Sequence, residues 1–144
     1  MKKNHMTGYS RKHPPGIVVR RDVAEAVVRE AYRGKLDCAI AFKIADQLGV
    51  LPQDVGLAAD LKDVSIVKCQ LGLYGYRDKE KRLIPAKSVS FTLEDAIRSC
   101  LTDGKLPCKK AWDIAFETGL RKTDVSSACE ALGIKISRCQ LGAF

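Results

Sequence analysis

The sequence predicts a mainly α-helical fold with short β-hairpin strands, built as two tandem three-helix units related by an internal repeat. The first observation is the repeat, because residues 26–72 align with 96–142 without a gap and 17 of the 47 positions are identical. The second is that apolar residues recur at helical spacing in three segments of each copy. The third is a β-rich segment after the third helix of each copy.

Turn and capping residues mark the elements of the first copy. Gly49 follows the last apolar residue of a helical segment, and Pro52 suits the first turn of the next helix, where its missing N–H costs no hydrogen bond. We therefore expect a helix capped by Asp22 that stops at Gly34, a helix from about Cys38 to Leu48, a helix from Pro52 to about Leu61, and a strand from Val64 to Leu71.

The second copy predicts the same elements in the same order. Thr92 is expected to be the N-cap of its first helix, with Glu94 and Asp95 in the first turn, where acidic side chains favour the positive end of the helix dipole. The expected elements are helices over about 93–102, 108–118 and 122–131 and a strand from Ile134 to Leu141.

The composition is that of a soluble globular protein with excess positive charge. The chain has 144 residues, 46% of them hydrophobic and 29% charged, and its formal net charge is +8. No apolar run is long enough to cross a membrane, and no secretory signal follows Lys2 and Lys3, so we expect a cytoplasmic protein without membrane contact. The charge favours an anionic partner.

Little in the sequence indicates an enzyme. It has no phosphate-binding loop and no nucleophile paired with a base, and its two histidines, His5 and His13, lie in the N-terminal residues. We therefore expect no catalytic residues, no metal ion and no cofactor.

Most of the positive charge lies outside the two repeats. The expected organisation is a basic N-terminal arm at 1–21, a first repeat at 22–76, a basic connector or wing at 77–91 and a second repeat at 92–144. The arm contains six basic residues and no acid. An arm of this kind binds nucleic-acid phosphates, and a solubilising disordered tail has the same composition, so both interpretations stay open.

The second and third helices of each copy share a pattern of a small Ala, a Gly after the helix and a β-branched Val. A small Ala permits close crossing of two helices, Gly tolerates a left-handed turn, and Val anchors the third helix. The pattern comprises Ala45, Gly49 and Val55 in the first copy and Ala115, Gly119 and Val125 in the second. With it, the chain resembles the tandem helix-turn-helix and winged-helix DNA-binding domains of bacterial or archaeal transcription regulators, although Thr118 departs from the usual apolar residue.

Resemblance to the winged variant implies a β-hairpin beside the third helix. In the first copy its two strands are expected at Val64–Leu71 and Arg82–Ala86. After the strand of the second copy, only the residues up to Phe144 follow, so we expect the second wing to be absent or truncated.

The resemblance also implies a function: sequence-specific binding of double-stranded DNA, chiefly through the third helix of the second repeat, in a transcriptional regulator. In this family the N-terminal part of the third helix enters the major groove. The candidate DNA-binding residues are Arg121, Lys122, Thr123, Ser126 and Ser127 in the second repeat, Gln53 in the first, Arg11, Lys12, Arg20 and Arg21 in the arm, and Arg77, Lys79, Lys81 and Arg82 in the connector.

Alternatives to this function stay open at the level of the sequence. Arg121 and Lys122 also fit a solvated helix start. Basic arms do not distinguish RNA from DNA. The same three-helix shape also serves as a protein-protein interaction adaptor, and a homodimer or another protein partner is compatible with either function.

The six cysteines are expected to be free thiols. Cys38 and Cys69 recur as Cys108 and Cys139, 31 residues apart in each copy, which is poor spacing for a metal site. Small buried thiols that pack helix against strand are the simplest interpretation, with redox or metal sensing as the alternative. Gln70 recurs as Gln140. The sequence gives no physical reason for this; a buried amide that bonds to the backbone of the first helix would be an ordinary structural role.

Overall fold

The computed structural model describes residues 16–76 and 83–144, which form six helices and four short strands. The fold is mainly helical, as predicted. The chain divides into two compact units: of the described residues, 16–68 with 141–143 form unit 1, and 69–76 and 83–140 with 144 form unit 2. The division after residue 68 does not coincide with the expected end of the first repeat at 76, since residues 69–76 belong to unit 2.

Unit 1 contains three helices and two strands. In chain order these are α1 (Arg21–Glu30), β1 (Lys35–Asp37), α2 (Cys38–Leu48), α3 (Pro52–Leu61) and β2 (Ser65–Val67). The ends of α2 and the start of α3 match the sequence prediction. Gly49 ends α2 in the left-handed conformation, with φ of 65°, and Pro52 occupies the first turn of α3.

The ends of α1 differ from the prediction. Asp22 is not the N-cap, because the extended residue before the helix is Arg20, and Asp22 lies in the first turn. Its Oδ1 accepts a hydrogen bond from the Val23 backbone N–H at 2.9 Å. The helix also ends at Glu30, before the expected stop at Gly34, because Ala31 takes an extended conformation.

The core of unit 1 lies where its three helices meet β1. Fully buried positions come from each of these elements: Val27 of α1, Leu36 of β1, Ala41 of α2 and Val55 and Ala58 of α3. Burial of such apolar side chains is the main free-energy gain on folding, at about 25 cal/mol per Å². This core sets the direction of α3.

The two strands of unit 1 form a parallel pair, not the expected hairpin. Leu36 of β1 lies opposite Ile66 of β2. A parallel pair needs a crossover, which α2 and α3 supply. β2 is shorter than the expected 64–71, and residues 83–86 form no strand. The prediction of a wing hairpin is therefore wrong for the described residues. Arg82, the first residue of the expected second strand, lies outside them. The physical reason is that β2 forms its backbone hydrogen bonds with β1, the strand that contains the buried Leu36.

Unit 2 contains α4 (Phe91–Ser99), β3 (Leu106–Pro107), α5 (Cys108–Thr118), α6 (Lys122–Leu132) and β4 (Ile136–Ser137). β3 and β4 are again parallel, with Leu106 opposite Ile136. The bounds of α5 match the prediction. Thr92 is not the N-cap of α4, because Ser90 holds that position and its Oγ accepts from the Leu93 N–H at 3.1 Å.

The core of unit 2 includes residues that precede its first helix. Cys69 and Leu71 are buried in one cluster with apolar residues of every helix of the unit. The other members of the cluster are Ile97, Leu106, Cys108, Ala111, Ile114, Ala115, Val125, Ala128, Cys129 and Ile134. Within the described part of the chain, no helix has the length and apolar character needed to cross a membrane.

Candidate nucleic-acid interface

The turn between α5 and α6 is closed by a left-handed glycine. Gly119 has a φ of 72° and ends α5, and the Leu120 N–H donates to the Ala115 carbonyl oxygen at 3.0 Å. Thr118, the departure from the family pattern, is accommodated because its hydroxyl donates to the Ile114 carbonyl oxygen at 2.6 Å. The turn therefore fixes the point at which α6 begins.

α6 begins at an exposed arginine held by an aspartate one turn later. Asp124 Oδ2 accepts from the Arg121 backbone N–H at 2.9 Å, and the guanidinium donates to the same carboxylate at 3.2 Å from Nε and 2.9 Å from Nη2. These hydrogen bonds lower the pKa of Asp124 and raise the pKa of Arg121. The Arg121 side chain is 82% exposed. Because exposed ion pairs are weak, an anion can replace Asp124 at small cost.

A second cation at the start of α6 lies against an aromatic ring of α5. Lys122 Nζ is 4.3 Å from the centroid of the Trp112 ring. Trp112 lies one turn after Lys109. Lys109 Nζ is 3.2 Å from both carboxylate oxygens of Asp113. The neighbouring Lys110 is exposed. We call Lys109, Lys110, Arg121 and Lys122 the basic cluster.

Lys109 and Lys110 were not among the residues predicted from the sequence. Within the two repeats, the prediction considered only the third helix of each copy, whereas these lysines lie in the first turn of the second helix. The signal that points to Lys109 is a helical spacing, because Lys109 and Trp112 are three residues apart and lie on the same side of α5; Lys110 is two residues before Trp112 and has no such signal.

Farther along α6, one predicted DNA contact is inside the protein. Ser126 is fully buried, and its hydroxyl donates to the Leu71 carbonyl oxygen at 2.7 Å. The prediction that Ser126 contacts DNA is therefore wrong, because both its surface and its hydroxyl proton are already used within unit 2.

The neighbouring predicted contacts, Thr123 and Ser127, are half-buried. A Cβ placed on Gly72 would lie 3.6 Å from Thr123 Cγ2, so the threonine methyl packs against that glycine. The Ser127 carbonyl oxygen accepts from the Ala86 N–H at 3.0 Å. Residues 71–72 and 83–86 of unit 2 thus lie along the side of α6 that was predicted to read bases.

The third helix of the first copy offers one exposed polar side chain at its start. Gln53 is exposed, next to a Leu51 side chain that is 59% exposed. One turn on, Gly56 is buried, and a Cβ at that position would overlap the carbonyl oxygen of Leu141 within unit 1. Gln53 is therefore the accessible member of the predicted site on α3.

The predicted arm residues that the structure describes are engaged with acidic neighbours. The Arg20 guanidinium donates to Asp22 at 3.1 and 2.6 Å, and this hydrogen bond lowers the pKa of Asp22. Arg21 Nε is 3.5 Å from Glu25 Oε2. The other predicted contacts of the arm and connector lie outside the described residues; these are Arg11, Lys12, Arg77, Lys79, Lys81 and Arg82.

All six cysteines are free thiols, as expected from the sequence. Cys38, Cys69, Cys108 and Cys129 are buried, which agrees with a packing role. Burial raises the pKa of Cys69 and of Cys108, and it raises the pKa of Cys129 to about 11, with a smaller contribution from the charge of Glu130. In residues 16–76 and 83–144, no group of three or more His, Cys, Asp or Glu side chains is arranged to hold a metal ion.

Gln140 contacts a thiol instead of the expected helix backbone. Its Nε2 lies 3.5 Å from Cys108 Sγ, at the first residue of α5, and this hydrogen bond opposes the effect of burial on the pKa of that cysteine. The amide of Gln140 therefore fixes the last residues of unit 2 to the start of α5.

Comparison of the chain with protein-family models, with curated proteins and with solved structures found no match.

Proposed function

We propose that the protein binds double-stranded DNA in a sequence-specific manner and acts as a transcriptional regulator, with the basic cluster as its main contact. The observation that carries the proposal is the 82% exposed Arg121 side chain at the N-terminal end of α6. In helix-turn-helix proteins this end of the third helix enters the major groove, and arginine there pairs with guanine edges or with phosphates.

The electrostatics of the cluster support a polyanionic ligand. The chain carries a net charge of +8, and Arg121, Lys109 and Lys110 are exposed. Two of the cations have carboxylate partners on the surface, Asp124 for Arg121 and Asp113 for Lys109. Surface pairs of this kind contribute at most about 1 kcal/mol, so DNA phosphates compete with them effectively.

The burial of Ser126 restricts which residues read the sequence. We propose that base contacts come from Arg121 and Lys122 at the start of α6, with Lys109 and Lys110 on phosphates. Thr123 and Ser127 are half-buried and contribute less to the contacts with bases. In the first repeat, Gln53 is the one base-reading candidate, so we assign that repeat mainly a supporting role.

We further propose that the two units arose as tandem copies of one helix-turn-helix element. The support is the 17 identities in 47 aligned positions, together with helices at 38–48 and 108–118 that are offset by the same 70 residues. Because β2 pairs with β1, this element lacks the hairpin of the winged variant. A regulator of this kind acts on the chromosome, which in a bacterium or archaeon lies in the cytoplasm.

The proposal is tested by genome-wide footprinting of the tagged protein, followed by fluorescence anisotropy on the recovered sites. We expect Arg121→Ala to weaken binding to a recovered site about tenfold or more, which corresponds to a lost bidentate base contact of 1–3 kcal/mol. The matched control is Arg98→Ala, since Arg98 is also an exposed arginine paired to a carboxylate within its own helix, at 2.8 Å from Glu94. Equal effects of both variants, or no footprint, would refute the proposal.

A second candidate function is that of a protein-interaction adaptor. It is favoured by an apolar stripe on α5 and the following turn, in which Trp112, Phe116 and Leu120 are spaced four residues apart and Phe116 is 88% exposed. Stripes of this kind mark helix-docking surfaces more often than scattered apolar residues do. If this function is the main one, Phe116→Ser abolishes co-purification of a defined partner, and Arg121→Ala does not.

A further inference from the structure

A groove on unit 1 combines apolar and basic surface. It has a volume of about 400 Å³ and lies beside α1 and the end of α3. Val28 contributes an apolar side chain that is 54% exposed to solvent. The lining residues are Ala24 and Val28, the three cations Arg21, Arg29 and Lys62, and one acid, Glu25.

The cations of the groove are accessible. The Arg21 side chain is 92% exposed and lies 3.5 Å from Glu25, and the Arg29 side chain is 66% exposed and lies 3.3 Å from Glu30. Both ion pairs lie on the surface and are weak, so each arginine readily exchanges its carboxylate partner for a better-placed carboxylate of a ligand. With three cations against one acid, the lining has an excess of positive charge that favours an anionic ligand.

Helix geometry defines the spacing that a ligand must match. Arg21 and Arg29 are eight residues apart on α1, which places them about 12 Å apart along the helix axis. Val28 lies seven residues after Arg21 on the same side of the helix, about 10 Å farther along the axis and close to the level of Arg29. The complementary ligand therefore has two carboxylates roughly 12 Å apart and an apolar side chain close to one of them, which suits a peptide better than a simple anion.

Neither segment outside the described residues has the charge of a suitable occupant. Residues 1–15 contain no acid, and residues 77–82 carry four basic residues against Asp78 and Glu80. A second copy would bring another net charge of +8 toward a basic groove. The charge of the groove therefore favours an acidic segment of a different protein as its occupant.

We propose that this groove docks an acidic segment of a partner protein, with an apolar side chain on Val28 and carboxylates on Arg21 and Arg29. Lys62 adds a third contact for negative charge from the end of α3. The groove belongs to unit 1, whereas the basic cluster proposed to bind DNA belongs to unit 2. The inference therefore does not depend on DNA binding.

The test uses the full chain and a fluorescein-labelled helical peptide with two glutamates eight residues apart and a leucine directly beside one of them, which matches the spacing of Arg21, Val28 and Arg29. We expect saturable binding in fluorescence anisotropy. Two control peptides, one with both glutamates replaced by glutamine and one with the leucine replaced by serine, should each bind at least about threefold more weakly, because charge and apolar contact both contribute.

Variants of the protein decide whether binding occurs in this groove. Arg29→Glu should weaken binding about tenfold, since it places like charges together, and Val28→Ser about threefold. Two controls should change the affinity less than about twofold: Lys43→Glu, which makes the same charge change on α2, and the double variant Arg121→Ala with Lys122→Ala. Circular dichroism confirms the fold of each variant.

Three results would overturn the proposal. The first is no saturation at millimolar peptide. The second is equal weakening by Lys43→Glu, which would mean unspecific attraction to a basic protein. The third is an unchanged affinity for Val28→Ser together with displacement of the peptide by inorganic phosphate, which would mean a simple anion site.

Discussion

Ser126 of α6 donates a hydrogen bond from its hydroxyl to the carbonyl oxygen of Leu71, 55 residues earlier in the chain, at 2.7 Å. Both residues are buried. The bond satisfies the backbone carbonyl of a segment that forms no strand or helix, and a buried carbonyl of this kind needs a partner. It therefore fixes residues 69–72 of unit 2 against α6 and removes Ser126 from the surface.

Replacement of Ser126 by Ala should destabilise the protein by about 1–3 kcal/mol, because the buried Leu71 carbonyl would lose its partner. The measurement is the free energy of unfolding in urea. Ser127→Ala is the matched control, since Ser127 is half-buried and its backbone carbonyl bond to Ala86 survives the change. A similar loss of stability in both variants would contradict this role of Ser126.

Gly56→Ala should be destabilising, although alanine normally stabilises a helix interior by up to about 1 kcal/mol relative to glycine. The reason is that a Cβ at this position would overlap the Leu141 carbonyl oxygen within unit 1. The stability measurement is repeated in a chain that ends at Gln140. There the same substitution should become neutral or stabilising, and a destabilisation that persists would show that Leu141 is not the cause.

Local signals predicted the second helix of each unit well. The bounds of α2 and α5 match the expected 38–48 and 108–118, because apolar spacing defines each helix and a left-handed glycine, Gly49 or Gly119, ends it. These signals lie within a few residues of the feature they determine, so they are readable from the chain alone.

Features that depend on distant residues were not predictable in this way. β1 has the sequence Lys-Leu-Asp, too short for an alternating pattern, and its parallel pairing with β2 depends on residues about 30 positions away. The burial of Ser126 similarly depends on Leu71. Arg121 was predicted as a DNA contact and is exposed. Lys109 was not predicted, because its place beside the start of α6 depends on how α5 packs against α6.

Asp124→Asn should lower the melting temperature at neutral pH. The hydrogen bonds from Arg121 lower the folded-state pKa of Asp124 below its unfolded value. The carboxylate therefore contributes stability that is fully present above the ordinary aspartate pKa of about 3.9 and is lost as the pH falls through the folded pKa.

The measurement is thermal unfolding of the wild type and of Asp124→Asn between pH 2.5 and 7. The difference in melting temperature should shrink as the pH falls below 4. Asp103→Asn, which removes an exposed carboxylate elsewhere, controls for the change in net charge. A difference that stays constant across this range would mean that ionisation of Asp124 does not stabilise the fold.

Cys129 should resist alkylation in the folded protein. Its pKa is raised to about 11 by burial, and only the thiolate reacts, so labelling by iodoacetamide at pH 8.5 should be at least about a hundredfold slower than for an ordinary thiol. Cys100 and Cys139 are half-buried and should label first. Mass spectrometry of tryptic peptides measures each site, and labelling in guanidinium chloride supplies the unfolded reference. Equal rates at Cys129 and Cys100 would contradict the prediction.

The salt dependence of DNA affinity distinguishes the roles within the basic cluster. If Lys109 and Lys110 contact phosphates, replacing both by Ala should reduce the slope of log K against log salt by about 2, because each phosphate contact releases roughly one counterion. Arg121→Ala should instead weaken binding to the recovered site much more than binding to unrelated duplex. Fluorescence anisotropy from 50 to 300 mM salt on both duplexes measures these effects. A slope unchanged by the lysine substitutions would remove α5 from the interface and leave the start of α6 as the contact from the described residues of unit 2.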